Sequence, residues 1–306
     1  MGTSEPASFG FLVLFDTVTV LSFVLIALIL ATAYLSKYVH RRMAWYGQMV
    51  QWAIYCMSYM LLFGFQGKSN SEPPKALCLF QASLIYACPP ACAVGSTCFM
   101  IDFYMSLSPL HRKQSLRVRK LDMLLVSLPW ITLFGAALQV VLYTLVNQRL
   151  STVARSPGYF FCNISDPEPT IVSVALVLLA LVAWFYFEIQ SGLIMYHNRL
   201  EFARLNYKTS QGYLSLYIRS AILTAGTITG TGISIYCLPQ INGMGTWSVA
   251  LPFMPIFVAL VFGTQKDMMR VWVFWKQRTP EENPDYTAQS SLALDEMLLQ
   301  YPIPAI

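Results

Sequence analysis

Seven stretches of the chain stay apolar for long enough to cross a bilayer, which takes about 20 residues of helix. They lie near residues 10 to 35, 43 to 66, 76 to 107, 121 to 146, 170 to 196, 214 to 238 and 245 to 264. The polar stretches between them are short, so no separate soluble domain fits, and the pattern predicts an all-α membrane protein built as a bundle of seven helices. The third run is longer than a straight crossing needs, which predicts tilt or a kink. After Gly263 the pattern changes: in TQKDMMRVWVFWK, Met268, Val271, Trp272 and Trp275 recur at i, i+3, i+4 and i+7 with charges between them. That is the signature of an interfacial amphipathic helix. Residues 1–278 then form one membrane unit, and 279–306 a short, mostly disordered tail, acidic and polar, with Glu281, Glu282 and Asp285 near Ser290 and Ser291.

Composition agrees with the pattern. Of 306 residues, 56% are hydrophobic and 11% charged, where a soluble domain carries charge on about a quarter of its positions. Lys and Arg give the expected orientation. Lys37, Arg41 and Arg42 follow the first run, and Arg112, Lys113, Arg117, Arg119 and Lys120 the third. Arg199, Arg204, Lys208 and Arg219 lie around the gap before the sixth, and Lys266, Arg270, Lys276 and Arg278 follow the seventh. Sixteen basic residues thus fall on one side against four on the other, Lys68, Lys75, Arg149 and Arg155. The expectation is a multi-pass protein of the plasma membrane, with an extracellular N-terminus and a cytoplasmic C-terminus. Its net charge of +5 then reflects topology and contact with anionic lipid, not nucleic acid. The first run has no basic flank and is too long for a signal peptide core, so it reads as an anchor that stays.

Seven cysteines sort by position. Cys56, Cys88, Cys92 and Cys98 fall within apolar runs, where thiols pack as small apolar groups. Cys78 opens the third run, Cys162 lies in the loop after the fourth, and Cys237 ends the sixth. Cys78 and Cys162 are the natural disulfide pair, and such a bond would pin that loop over the bundle mouth; free thiols, or a bond from Cys237 to either, are the alternatives. Asn163-Ile164-Ser165, next to Cys162, is an acceptor sequon for N-linked sugar.

These features together resemble the G-protein-coupled receptor superfamily over nearly the whole chain. A cysteine opens helix 3 and has a partner before helix 5. Asp102-Phe103-Tyr104 stands where rhodopsin-like receptors close helix 3 with Asp-Arg-Tyr, although Phe103 replaces the arginine that family uses as its switch. Pro109-Leu110 precedes a basic loop, Trp130 lies in helix 4, and Pro255 alone remains of the helix 7 motif. The phrases LCLFQASLIYACPP and VFGTQKDMMRVW look like those of divergent seven-helix receptors of fungi. The resemblance implies a signal-transducing receptor without enzymatic chemistry or cofactor. An extracellular ligand of unknown class would act through helices 3, 5 and 6 on a heterotrimeric G protein, which Arg112 and Lys113 of the second inner loop would meet.

Other seven-helix functions leave traces that are missing. A retinal protein needs a lysine within the last helix, and residues 245 to 264 contain none. A zinc hydrolase needs clustered His and carboxylates, yet His40, His111 and His197 lie on three different loops. A transporter or non-signalling scaffold remains the alternative. Among ionisable residues in the runs, Asp16 stands near the outer end of the first and is a candidate for a cationic ligand group. Asp102, Glu188 and Arg219 lie near the inner ends of helices 3, 5 and 6; Arg219 is a candidate to pair with Asp102 or Glu188 as a lock, the alternative being that it snorkels to the lipid headgroups. Pro89 and Pro90 remove two amide donors in mid-membrane, freeing the carbonyls of Ile85 and Tyr86. With Gln81, Tyr86, Gln139, Tyr143 and Trp184 they mark the expected ligand chamber.

Overall fold

The computed structural model describes residues 9–36, 39, 41–66, 72–107, 115–156, 158–197, 207–237 and 251–272. The chain is mostly helical. In order it forms α1 (Phe9–Leu35), α2 (Met43–Met60), α3 (Lys75–Leu107) and α4 (Ser115–Val146). A short antiparallel hairpin follows, β1 (Val153–Arg155) and β2 (Cys162–Ile164). Then come α5 (Pro167–His197), α6 (Tyr207–Cys237), α7 (Phe253–Gly263) and α8 (Lys266–Trp272). By length and composition, α1, α3, α4 from Lys120 onward, and α5 can each cross a membrane. The tail from Thr279, with Ser290 and Ser291, and the basic stretch holding Arg112 and Lys113 lie outside the described residues.

Helix α3 is the hub. It packs against α2, α4, α5 and both strands, while α1 packs on α2, α7 and α8, and α6 on α5 and α7. Trp45, Met49, Tyr59, Met100, Trp184 and Phe262 are among the side chains fully enclosed at these contacts. The outward faces are apolar too: Phe134 on α4 and Leu179 and Val182 on α5 are 66–70% exposed. Apolar side chains in the interior and on the outer surface alike are what a hydrocarbon solvent allows and water disfavours.

Local sequence sets the boundaries. Pro167 opens α5, with Asp166 before it and Glu168 in the first turn; proline costs nothing where no intrahelical donor is needed. The same logic corrects the seventh run. Its described helix is Phe253–Gly263, with Pro252 as its N-cap residue and Pro255 in its first turn. Pro255 therefore stands in the first turn of a helix where the family motif would put it deep inside one. Residues 245 to 250 lie outside the described residues. α2 also ends early, at Met60, and gives way to turns through Phe65, with Gly64 at φ +88°. In contrast, α3 runs unbroken through Pro89 and Pro90. The carbonyl of Tyr86 that they free accepts a hydrogen bond from Ser173 Oγ of α5 at 2.8 Å, so a neighbouring helix supplies the missing donor.

One glycine of α6, Gly226, serves packing. A Cβ on Gly226 would come 2.7 Å from the Phe257 ring of α7, so only glycine admits that ring. On the amphipathic segment, Met268 is fully buried, and Trp272 Nε1 donates to Thr32 Oγ1 of α1 at 2.9 Å. Trp275 lies outside the described residues.

Candidate functional site

Two polar assemblies stand at opposite ends of α3. The first is built on the hairpin. Cys162 is bonded to Cys78 at the start of α3, with Cα atoms 5.3 Å apart. The register pairs Val153 with Ile164, Ala154 with Asn163, and Arg155 with Cys162. Ser156 N donates to Phe161 O (2.7 Å) and Ser165 N to Thr152 O (3.1 Å), so in an antiparallel ladder Cys162 and Ile164 turn their backbone groups away from β1. Those groups meet α3. Gln81 Oε1 accepts from Cys162 N at 3.0 Å, while Tyr86 Oη accepts from Ile164 N at 3.2 Å and donates to Ile164 O at 3.3 Å. Five residues of helix advance about 7.5 Å, and two of strand about 6.7 Å. Gln81 and Tyr86 therefore match the strand repeat and act in place of a third strand.

The turn of this hairpin is thrust into the bundle. Phe160 is fully buried and Phe161 nearly so. Phe160 stacks on Phe15 of α1 at 5.1 Å, and Phe161 meets Tyr59 of α2 edge-on at 5.7 Å. Gln66 Nε2 donates to Phe160 O (2.9 Å), and Arg155 Nη1 to Phe65 O (3.1 Å). Tyr159 takes φ +60°, a conformation costly for an aromatic residue, under the Arg155 guanidinium 5.1 Å from its ring. Asp16 lies next to this cage, near Gln66, with Oδ1 buried and unbonded. At the hairpin's rim Arg149 pairs with Asp166 at 2.8 Å; that hydrogen bond, and then the carboxylate charge, raise the guanidinium above the ordinary arginine value. Asn163 is half-buried on β2, between the enclosed Cys162 and Ile164.

The second assembly is an arginine cap. Arg42, extended just before α2, donates through Nη1 to Asp102 Oδ1 of α3 at 2.6 Å; Asp102 is nearly buried and Arg42 largely exposed. Arg41 bonds Gln265 Oε1 and Asp267 Oδ2 at the α7–α8 junction. Adjacent residues of extended chain point to opposite sides, so one loop grips α3 and α8 together. Arg219 of α6 bonds Val261 O, Thr264 Oγ1 (2.8 Å) and Thr264 O (2.9 Å). A cation thus neutralises the unsatisfied carbonyls that end α7. Between these elements lies a cavity of about 180 Å³, lined by Arg41, Arg42, Asp102, Phe103, Tyr213 and Gln265 among others.

Several expectations change on this geometry. Arg219 is turned to α7 and bonds neither Asp102 nor Glu188; Asp102 takes Arg42, and Glu188 Oε2 is bonded by Thr224 Oγ1 of α6 at 2.6 Å. The carbonyls of a helix end compete well for a guanidinium, because they offer acceptors without the cost of burying a second ion. The expected chamber is also redistributed. Gln81 and Tyr86 hold the hairpin, and Trp184 is enclosed on α5. Gln139 is half-buried on α4, and Tyr143 lies beneath Arg149, 5.9 Å from its ring centroid. Phe103 is buried, 6.3 Å from the Tyr213 ring, and the half-buried Tyr104 meets Phe187 at 5.5 Å. The expectation missed Phe15, Gln66, Phe160, Phe161 and Arg42. Two consecutive phenylalanines in an otherwise polar loop were the available signal for the plug.

A wider apolar groove on the outer face of α4, lined by Trp130, Ile131 and Phe134 among others, carries none of the candidate residues. Cys56, Cys88, Cys92 and Cys98 are buried free thiols, and no group of three or more metal-ligating side chains occurs among the described residues. No protein-family model and no curated protein matches the chain.

Proposed function

We propose that the chain is a seven-helix, G-protein-coupled-receptor-like membrane protein that senses an extracellular ligand and signals to a heterotrimeric G protein. The observation that carries this reading is the placement of two assemblies on one helix. α3 holds a disulfide-pinned hairpin that plugs the mouth of the bundle at one end. At the other end it joins an arginine cap that ties α3, α6 and the α7–α8 junction around a cavity. Displacing the plug would move α3, and a movement of α3 strains the Arg42–Asp102 bond, so the two ends are mechanically joined through a single rigid element. In this reading the hairpin end is extracellular, Asn163 is glycosylated, the arginine cap is cytoplasmic, and the ligand enters beside Phe15, Asp16, Phe160 and Phe161. The fungal receptors that the sequence resembles are the proposed relatives.

The test is co-expression with G-protein biosensors. The wild type is compared with Arg42→Ala, with Arg219→Ala and with a double alanine variant at Arg112 and Lys113. The cap variants are expected to raise basal signalling, and the double variant to lower it. Absence of a nucleotide-linked response with every G protein tried, together with measurable solute flux, would refute the receptor reading in favour of transport.

A further inference from the structure

Glu188 has no role in either assembly, and its surroundings are unusual. It is 5% exposed at the α5–α6 contact, and Oε1 has no hydrogen-bond partner. No ion pair reaches it among the described residues. From α6, the Tyr217 hydroxyl lies against Gly192, one turn beyond Glu188 on α5, and Arg219 is committed to α7. From α3, Asp102 is held by Arg42, and Tyr104 packs at a tilt against Phe187. The same stripe of α5 carries Trp184 one turn before and Ser191 one turn after, and Trp184 Nε1 and Ser191 Oγ are likewise buried and unbonded. An ionised carboxylate in this place would be a charge removed from water with no counter-ion and half its acceptors bare.

The hydrogen count points the same way. Thr224 Oγ1 lies 2.6 Å from Glu188 Oε2 and 3.0 Å from Ser220 O, and both atoms appear as acceptors. A threonine hydroxyl has one hydrogen. Thr227 and Thr229 of the same helix give theirs to the carbonyl four residues back, Leu223 and Ala225, each at 2.8 Å. If Thr224 follows them, its hydrogen goes to Ser220 O, and the short contact to Glu188 requires a proton on the glutamate.

We propose that Glu188 is a proton-binding site at the α5–α6 interface. The neutral acid donates from Oε2 to Thr224 Oγ1, which in turn donates to Ser220 O. The bound ligand is the proton itself, and it joins two helices that otherwise meet over a limited surface. The hydroxyl of Tyr217 lies in the space left by Gly192, where a Cβ would come within 2.5 Å of it, and with Ser191 it supplies polar groups beside the acid toward the C-terminal end of α5. Separation of α6 from α5 would withdraw the acceptor and expose the acid to ionisation. Proton binding and helix contact are therefore linked: for a single proton, contact can shift by up to about tenfold per pH unit.

The full chain in lipid nanodiscs at pH 7 is read by infrared spectroscopy, comparing wild type with Glu188→Gln. The expected result is loss of one protonated-acid carbonyl band in the variant. Loss of a carboxylate band in its place overturns the proposal. Where Glu188→Gln fails to fold, Thr224→Val serves: the acid band is expected to move to higher frequency as its acceptor is removed, and an unshifted acid region overturns the proposal. Neither ligand nor G protein enters the measurement, so its outcome is separable from that of the receptor reading.

Discussion

Tyr86→Phe removes one oxygen from the protein and tests whether α3 completes the hairpin. That oxygen accepts from Ile164 N at 3.2 Å and donates to Ile164 O at 3.3 Å, and Ile164 is 3% exposed. The ring stays, so no large cavity opens. Two backbone groups lose their partner, at about 1–3 kcal/mol for each buried group left unsatisfied. Both bonds are longer than the usual 2.9–3.0 Å, so the low end applies and the expected loss is about 2 kcal/mol. For a chain of this size about 2 °C per kcal/mol gives a drop of about 4 °C in the melting midpoint. Because Cys56, Cys88, Cys92 and Cys98 are buried free thiols, a thiol-reactive fluorogenic dye reports unfolding of the detergent-purified protein. Hydrogen exchange at Ile164 reads the same loss locally, since the hairpin can open without the bundle. A midpoint within about half a degree of wild type, together with unchanged protection at Ile164, would show that Tyr86 does not carry the strand edge.

Reduction, or Cys78→Ser, opens a covalent loop spanning 84 residues; chain entropy puts its contribution at about 4.5 kcal/mol, and the same dye assay should show a midpoint lower by several degrees. Arg42→Ala takes a guanidinium from the nearly buried Asp102; because Arg42 itself is largely exposed, the expected cost is about 1–2 kcal/mol, below that of breaking a fully buried pair. Asp102→Asn should cost less, and a larger loss for Asn than for the Arg42 variant would contradict this ordering. Asn163→Gln should abolish the glycosidase-sensitive mobility shift expected of the wild type on a gel, and a shift that persists in the variant would remove both the sugar assignment and its support for the orientation.

Much of the helical frame was legible because its causes are local. Long apolar runs define α1, α3, α4 and α5, since a backbone in hydrocarbon must satisfy its own hydrogen bonds. The Cys78–Cys162 pair could be favoured because topology left few oxidisable thiols on one side. Boundaries were less legible where proline had two meanings: Pro252 and Pro255 flank the start of α7, while Pro89 and Pro90 pass through α3 because Ser173 of another helix repairs the Tyr86 carbonyl.

Polar partnerships were the least legible part of the chain. Charge and approximate depth suggested Arg219 with Asp102 or Glu188. The folded chain instead gives Arg219 to the end of α7, Asp102 to Arg42 and Glu188 to Thr224. Gln81 and Tyr86 looked like chamber walls until the hairpin register turned Cys162 and Ile164 toward them. By itself the sequence determined that this chain is helical and apolar on both its inner and outer faces, because those properties depend on side-chain transfer free energies and a repeating period. Only the tertiary structure decided which polar group meets which, because a hydrogen bond depends on ångström-scale distances between residues 36 or more positions apart, and no local periodicity encodes those.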